Sequence, residues 1–323
     1  MNIKTCLVIG AGISGLLAAR HLHREGQKVV VLDKGRGLGG RMATRRFGPG
    51  VFDHGAQFFT AKDKKFLCDV LNWVKGGVAE EWCQSPSRSH DQSVIRYRGA
   101  DGMTAIPKSL AKGLDIRLSK QVIRIRKNFN GLEVNLDSGE KIKADSILLT
   151  PPVPQSLALL DEGGYSVPLA TRAKLEKITY DPCIVVMAIL DGPSKIQPPG
   201  FIEMDGGPIS WIADNRVKGI SPNGGGVTIH GSSIFSRSHW DENRKIAGAR
   251  LIEAASEWLG AEVLDYQVHG WRYSRPVHLH DEPFLLLEGP PPLMFAGDAF
   301  CAPRVEGAAL SGLAAATRLL DIA

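Results

Sequence analysis

The chain has 323 residues, 43% hydrophobic and 23% charged, a balance that supports a sizeable buried core and excludes a disordered or fibrous chain; the length predicts one large or two intertwined domains. A net charge of +5, carried by Lys and Arg residues that gather into no stripe or tail, predicts no nucleic-acid partner. Cys6, Cys68, Cys83, Cys183 and Cys301 lie far apart without a CxxC pair, which predicts reduced thiols and a cytoplasmic location. The first residues run through Lys4 directly into an apolar strand, so no signal peptide is expected, and no apolar run reaches membrane-spanning length.

Residues 5–10 (TCLVIG) read as a short buried parallel strand, and the following AGISGLLAARHL switches to helical spacing with Leu16, Ala19 and Leu22 on one side. The join is Gly10-Ala11-Gly12-Ile13-Ser14-Gly15. Gly10 suits the tight turn, Gly12 lets the backbone approach a pyrophosphate, and Gly15 lets helix and strand pack closely. The helix N-terminus, with Ile13 and Ser14 in its first turn, then faces the phosphates. A second strand, residues 28–33 (KVVVLD), ends in Asp33, about 20 residues beyond the glycines, where a carboxylate accepts ribose hydroxyls. Such a carboxylate repels a 2′-phosphate, which argues against NADP in this cradle and leaves FAD and NAD open.

Lys34-Gly35-Arg36-Gly37-Leu38-Gly39-Gly40-Arg41-Met42 follows as a second glycine cluster, which a nicotinamide dehydrogenase would not need here. Segments 116–126, 131–136 and 140–149 are strand-like and lead to Thr150-Pro151-Pro152. Beyond residue 153 come a helical stretch (166–178), three strands (182–190, 207–213, 225–231) and a second helix (243–259), separated by Gly/Pro-rich loops. Residues 293–298 (LMFAGD) read as a buried strand ending in Gly297-Asp298, and 305–320 (VEGAALSGLAAATRLL) as a small-residue helix.

The Gly39-Gly40-Arg41 run and the LMFAGD-to-helix segment resemble the two cofactor motifs of the FAD-dependent amine oxidase superfamily. The resemblance implies an α/β fold: a Rossmann-type FAD-binding domain of p-hydroxybenzoate hydroxylase-like topology (1–78, 97–152 and 274–323) with an inserted α+β substrate domain (79–96 and 153–273). It implies noncovalent FAD, since Cys301 follows the closing motif instead of preceding it. Arg41 would counter the pyrophosphate with Lys34, Gly40 and Met42 beside it, Val122 would touch the adenine through its backbone, and Gln57 and Phe58 would run beside the flavin. Asp298 would bind the ribityl chain, and the helix N-terminus at Val305 and Glu306 would face the ring edge where the reduced flavin gathers negative charge.

Asp53-His54-Gly55-Ala56-Gln57-Phe58-Phe59-Thr60, Trp271-Arg272-Tyr273-Ser274-Arg275-Pro276 and Arg304-Val305-Glu306-Gly307-Ala308 narrow the resemblance to bacterial renalase-type proteins. That family implies an oxidase taking hydride from isomeric (2- or 6-dihydro) NAD(P)H to flavin N5, giving NAD(P)+ and, with O2, hydrogen peroxide. Such chemistry asks little acid–base work of the protein, because a dihydropyridine becomes aromatic on losing hydride. No Ser-His-Asp set, paired carboxylates or metal-ligand motif stands out in the chain. Trp211, Asn215, His230 and Trp271 are the candidate substrate-pocket residues; His230, between Ile229 and Gly231, also reads as a structural strand residue. Trp271 and Tyr273 would share a face of their strand. The alternatives are a small flavin amine oxidase or desaturase, and a noncatalytic FAD-fold binding protein of the Rab escort or GDP-dissociation-inhibitor kind.

Overall fold

A computed structural model of the chain describes residues 5–86, 93–129, 131–287 and 289–322. Residues 1–4, on which the expectation about a leader rests, and 87–92 of the 79–96 segment lie outside the described residues.

The first strand, Thr5–Ile9, is the centre of the fold. Its alternation sends Cys6 and Val8 into one apolar layer and Leu7 and Ile9 into another, so it reads as an unbroken apolar run because both faces are covered. Around it lies a six-stranded sheet in the order Leu285–Leu287, Leu293–Phe295, Ser146–Leu149, Thr5–Ile9, Lys28–Leu32 and Asp115–Arg117. All its pairings are parallel except the edge pair Leu285–Leu287 with Leu293–Phe295. One face is covered by helices Ile13–Arg24, Lys64–Lys75 and Val305–Ile322. The other carries the antiparallel sheet Val122–Asn128, Gly131–Leu136, Lys141–Ala144 and the helix Val153–Gly163.

Two sequence expectations change in detail. The strand-like stretch 140–149 splits at Asp145, whose carboxylate accepts from Thr5 N at 2.7 Å while its own N–H donates to Thr5 O; those bonds turn the chain from the three-stranded sheet into the parallel one. The stretch 116–126 breaks likewise, because Ser119 takes a positive φ of 53° and residues 119 and 120 donate to the carbonyls of Gly35 and Asp33. The helix Val153–Gly163 carries no signal that the sequence reading used; Pro152 precedes it and Gly164, in the left-handed region, ends it.

The second large sheet is antiparallel throughout, in the order Phe201–Glu203, Ile209–Asp214, Gly226–Gly231, Tyr180–Leu190, Val263–Pro276. Alternation again sorts its residues: Ile184, Val186, Ala188, Val227 and Ile229 pack beneath helix Arg244–Ala254. Val185, His230 and Trp211, opposite one another in register, occupy the other face. Met187 and Ile189 on that face meet Phe52, which follows the glycine loops in the chain.

Candidate functional site

The site lies where the glycine loops of the parallel sheet meet that second face of the antiparallel sheet. Gly10 leaves its strand at φ 104°, and a Cβ there would strike Thr150 Oγ1. A Cβ on Gly15 would fall 2.1 Å from Gly10 O, so glycine is required for the helix to lie this close to the strand. Gly12 differs: a Cβ would meet nothing nearer than Gly39 O at 3.9 Å. The second glycine loop runs beside the first, with Gly39 N donating to Ala11 O at 2.9 Å and Gly12 bridging Gly39 in parallel register. Asp33 stitches both loops, accepting from Ala11 N and Gly35 N at 2.6 Å each.

The cradle fits a dinucleotide pyrophosphate on two observations. Helix Ile13–Arg24 begins at Gly12 with no side-chain cap and no acid in its first turn, so its leading N–H groups and positive dipole end remain for an anion. Ser14 Oγ, buried in that first turn, has no hydrogen-bond partner among the described residues, the mark of a group whose partner is a ligand or water.

Beside the cradle opens a cleft of about 260 Å³, whose wall includes Gly12, Ile13, Ser14, Gly39, Arg41 and Met42. Its far wall carries Asp298, Val305, Cys183, His230 and Trp271. Arg41 and Asp298 meet inside it as a two-pronged pair at 2.6 and 2.7 Å, and Arg41 also donates to Tyr273 O and Ser274 O. Burial works against the Arg41 charge, but Asp298 more than offsets it and holds the guanidinium above its ordinary range. Burial pushes the Cys183 thiol up to about 12, so it is a protonated thiol at neutral pH. A larger cavity of about 440 Å³, lined by Cys6, Leu22, Leu319 and Pro290 among others, shares no residue with the cradle.

His230 is tied to the glycine-loop side by a polar chain in which Gln57 links it to two residues the sequence did not single out, Asp53 and Lys218. Asp53 and Lys218 form an ion pair at 2.7 Å with both side chains 0% exposed. Asp53 also accepts from Thr44 Oγ1 and Met103 N, both at Oδ1. Lys218 Nζ lies 3.4 Å from Gln57 Oε1, and Gln57 Nε2 donates to the carbonyls of Asp53 and Gly55 and sits 3.3 Å from His230 Nε2. Burial and then the Lys218 charge lower His230 to about 4, which makes it a neutral imidazole at physiological pH. Burial, with His269 and Arg45 nearby, lowers His54 to about 3. Its ring stacks on Trp271, and its Nδ1 is buried without a partner among the described residues.

Of the sequence-predicted residues, Gly12, Ile13, Ser14, Arg41, Met42, His230, Trp271, Asp298 and Val305 line this one cleft. Gly10, Gly15, Asp33 and Gln57 support its walls, and Gly40, at φ 52°, turns the second loop beside Gly12. Lys34 is exposed, and Val122 lies buried at the start of the three-stranded sheet, away from the cleft lining. Glu306 keeps its place in the first turn of the last helix while its side chain serves another loop: Oε1 accepts from the N–H groups of Lys62 and Asp63 and so fastens that helix to the entry of helix Lys64–Lys75. Four expectations need correction. Asn215 is a structural tie, donating to Gly226 O and Thr228 Oγ1 at 3.0 Å. Phe58 and Trp211 leave the cleft for an aromatic cluster, with Trp211 stacked on Phe201 at 4.5 Å and the Arg96 guanidinium 4.2 Å from the Phe58 ring centre. Tyr273 does not share the Trp271 environment, because the pairing slips between Asp181 and Cys183 and Tyr273 packs edge-on against Tyr180.

Lys218 gave the sequence reading no signal, since a lysine in a turn after a strand is ordinarily solvated. Asp53 and His54 stood in a quoted segment, but only the fold shows which of its members face inward.

An NAD(P)-binding Rossmann-like domain matches residues 8–71. Renalase from Mus musculus is 25% identical over 95% of this chain and 96% of its own length. Polyamine oxidase 4 from Oryza sativa subsp. japonica is 40% identical over 27% of this chain and 18% of its own. A solved triple mutant of putrescine oxidase superposes with a TM-score of 0.72 at 16% identity, covering 99% of each chain; at that identity it shows the fold. The flavin containing amine oxidoreductase model matches residues 79–320, and the chain is therefore a member of that family, an FAD-dependent oxidoreductase built on a Rossmann-type α/β fold.

Proposed function

We propose that the protein oxidises ring-reduced isomers of NAD(P)H, the 2- and 6-dihydro forms, so that one isomer, one proton and one O2 give NAD(P)+ and hydrogen peroxide. When bound, FAD supplies a ring that accepts a hydride. Gly10, Gly12, Ile13, Ser14 and Gly15 would hold its pyrophosphate, Asp33 with Lys34 its adenosine ribose and Val122 its adenine. Gly40, Arg41, Met42 and Gln57 would line its course, and Asp298 with the N-terminus at Val305 would hold the ribityl and ring end. The binding is noncovalent. In this reading 1–78, 97–152 and 274–323 form the FAD domain, and 79–96 with 153–273 form the substrate domain.

The observation that carries the proposal is the charge layout of the cleft. Its roof is neutral, built from His230, Trp271 and the protonated thiol of Cys183. The one carboxylate in its described lining, Asp298, is paired with Arg41, while Arg275 and Arg304 stand exposed at its rim. A neutral roof suits a donor that needs no base, and exposed arginines suit the phosphates of a dinucleotide. An ammonium substrate would meet like charge at that rim.

The test is anaerobic mixing of the yellow protein with NADH containing its ring-reduced isomers, following the flavin absorbance. Rapid bleaching by the isomers and none by purified NADH is expected; bleaching by amines alone would replace the proposal with an amine oxidase, and no bleaching by either would favour a noncatalytic role.

A further inference from the structure

Gln57 stands between a cation and two carbonyl oxygens, and that arrangement fixes which end of its amide points where. An ammonium has only donors to offer, so the end 3.4 Å from Lys218 Nζ is the amide oxygen. Backbone carbonyls only accept, so the end facing Asp53 O and Gly55 O is the NH2 group. The NH2 group has two hydrogens: Asp53 O takes one, and the other faces Gly55 O and His230 Nε2, each 3.3 Å away. A donor facing a neutral imidazole nitrogen needs a lone pair there, and the ring proton must then sit on the other nitrogen. That nitrogen, Nδ1, has no hydrogen-bond partner among the described residues, and His230 lines the cleft.

We infer that Lys218 and Gln57 are positioning residues that lock His230 as the Nδ1–H tautomer, giving the cleft a hydrogen-bond donor for an amide-type carbonyl oxygen. This rests on the function proposed above, because the carboxamide of a dihydronicotinamide supplies such an oxygen. A protonated amine carries donors only and cannot satisfy Nδ1–H. Asp53 belongs to the same device: its Oδ2 keeps the ammonium in place, and its Oδ1 accepts from Thr44 Oγ1 and Met103 N. Replacing the amide by a carboxylate reverses the instruction, since Glu at position 57 accepts both from Lys218 and from His230 and draws the ring proton to Nε2.

The experiment is long-range proton–nitrogen correlation NMR on holoprotein carrying 15N-histidine, with NAD+ as the probe. The wild type is expected to show His230 protonated at Nδ1, with that signal moving on NAD+ addition. Gln57→Glu is expected to move the proton to Nε2 and to raise KM for the reduced isomers about tenfold, the worth of one hydrogen bond, with a smaller change in kcat. An Nε2–H tautomer in the wild type, or an Nδ1 signal indifferent to NAD+, overturns the inference. The wild-type spectra decide even if the variant does not fold. Flavin bleaching is read separately, so a protein that binds NAD+ through Nδ1–H without being reduced by the isomers would retire the function and leave the tautomer assignment standing.

Discussion

Gly12 and Gly15 separate two reasons for small residues at one turn. Gly15 is demanded by the fold, whereas a Cβ on Gly12 would make only an ordinary contact with Gly39 O at 3.9 Å. Gly12, at φ −80°, tolerates any L side chain. Gly12→Val is therefore expected to leave apoprotein folding within about 0.5 kcal/mol and to yield colourless protein. FAD content after gel filtration checks this, with circular dichroism as the folding control. Among the histidines, His54, His230 and His269 are all lowered, to about 3, 4 and 4, each by burial first. Their unfolded values lie near 6.5, so between about pH 6.5 and 4 the unfolded chain binds more protons than the folded one, and stability falls as pH falls through that window. Urea unfolding at several pH values should show this slope, and His230→Asn should make it shallower; a stability flat from pH 7 to 4 would contradict the buried neutral assignment.

Elements explain how much of this was legible in sequence. The strand, glycine turn, helix and Asp33 lie within one stretch of chain, where local spacing carries the signal. The closing helix Val305–Ile322 was readable for a similar reason: its small residues mark a close crossing. Gly312 shows it directly, since a Cβ there would lie 2.2 Å from Ser14 O on the first helix. The roof was not readable in the same way. His230 and Trp211 share a face, yet only His230 lines the cleft, because aromatic packing with Phe201 draws Trp211 aside. The bond from Glu306 to the loop at Lys62 and Asp63 was not readable either, because a position at a helix N-terminus says where the backbone points and leaves the side chain free to serve another loop. At this scale Gly312→Val is expected to force the two helices apart. It should cost about 1–3 kcal/mol and loosen FAD, because Ser14 belongs to the cradle wall. Thermal unfolding and flavin release on dilution measure the two effects; an unchanged flavin affinity would show that the closing helix does not set the cradle.

For the whole molecule, the question is what holds the antiparallel sheet over the glycine loops. Asp53 and Lys218 are far apart in the chain, one on strand Gly50–Asp53 and the other in the turn after strand Ile209–Asp214, and are fully buried. An isolated buried charge is far more costly than a buried pair, so breaking the pair from one side should be severe. Lys218→Met strands the Asp53 carboxylate and is expected to cost about 3–5 kcal/mol. Asp53→Asn with Lys218→Met removes both charges while leaving an amide oxygen for Thr44 Oγ1 and Met103 N, so most of the loss should return. A double-mutant cycle by urea unfolding, run with excess FAD to hold the cofactor contribution constant, reads this as a coupling between positions 53 and 218. Strictly additive losses would mean that the pair is incidental and that apolar contacts such as Phe52 with Met187 and Ile189 carry the junction. Strong coupling would mean that one ion pair both seats the roof and, through Gln57, orients the imidazole that faces the cleft.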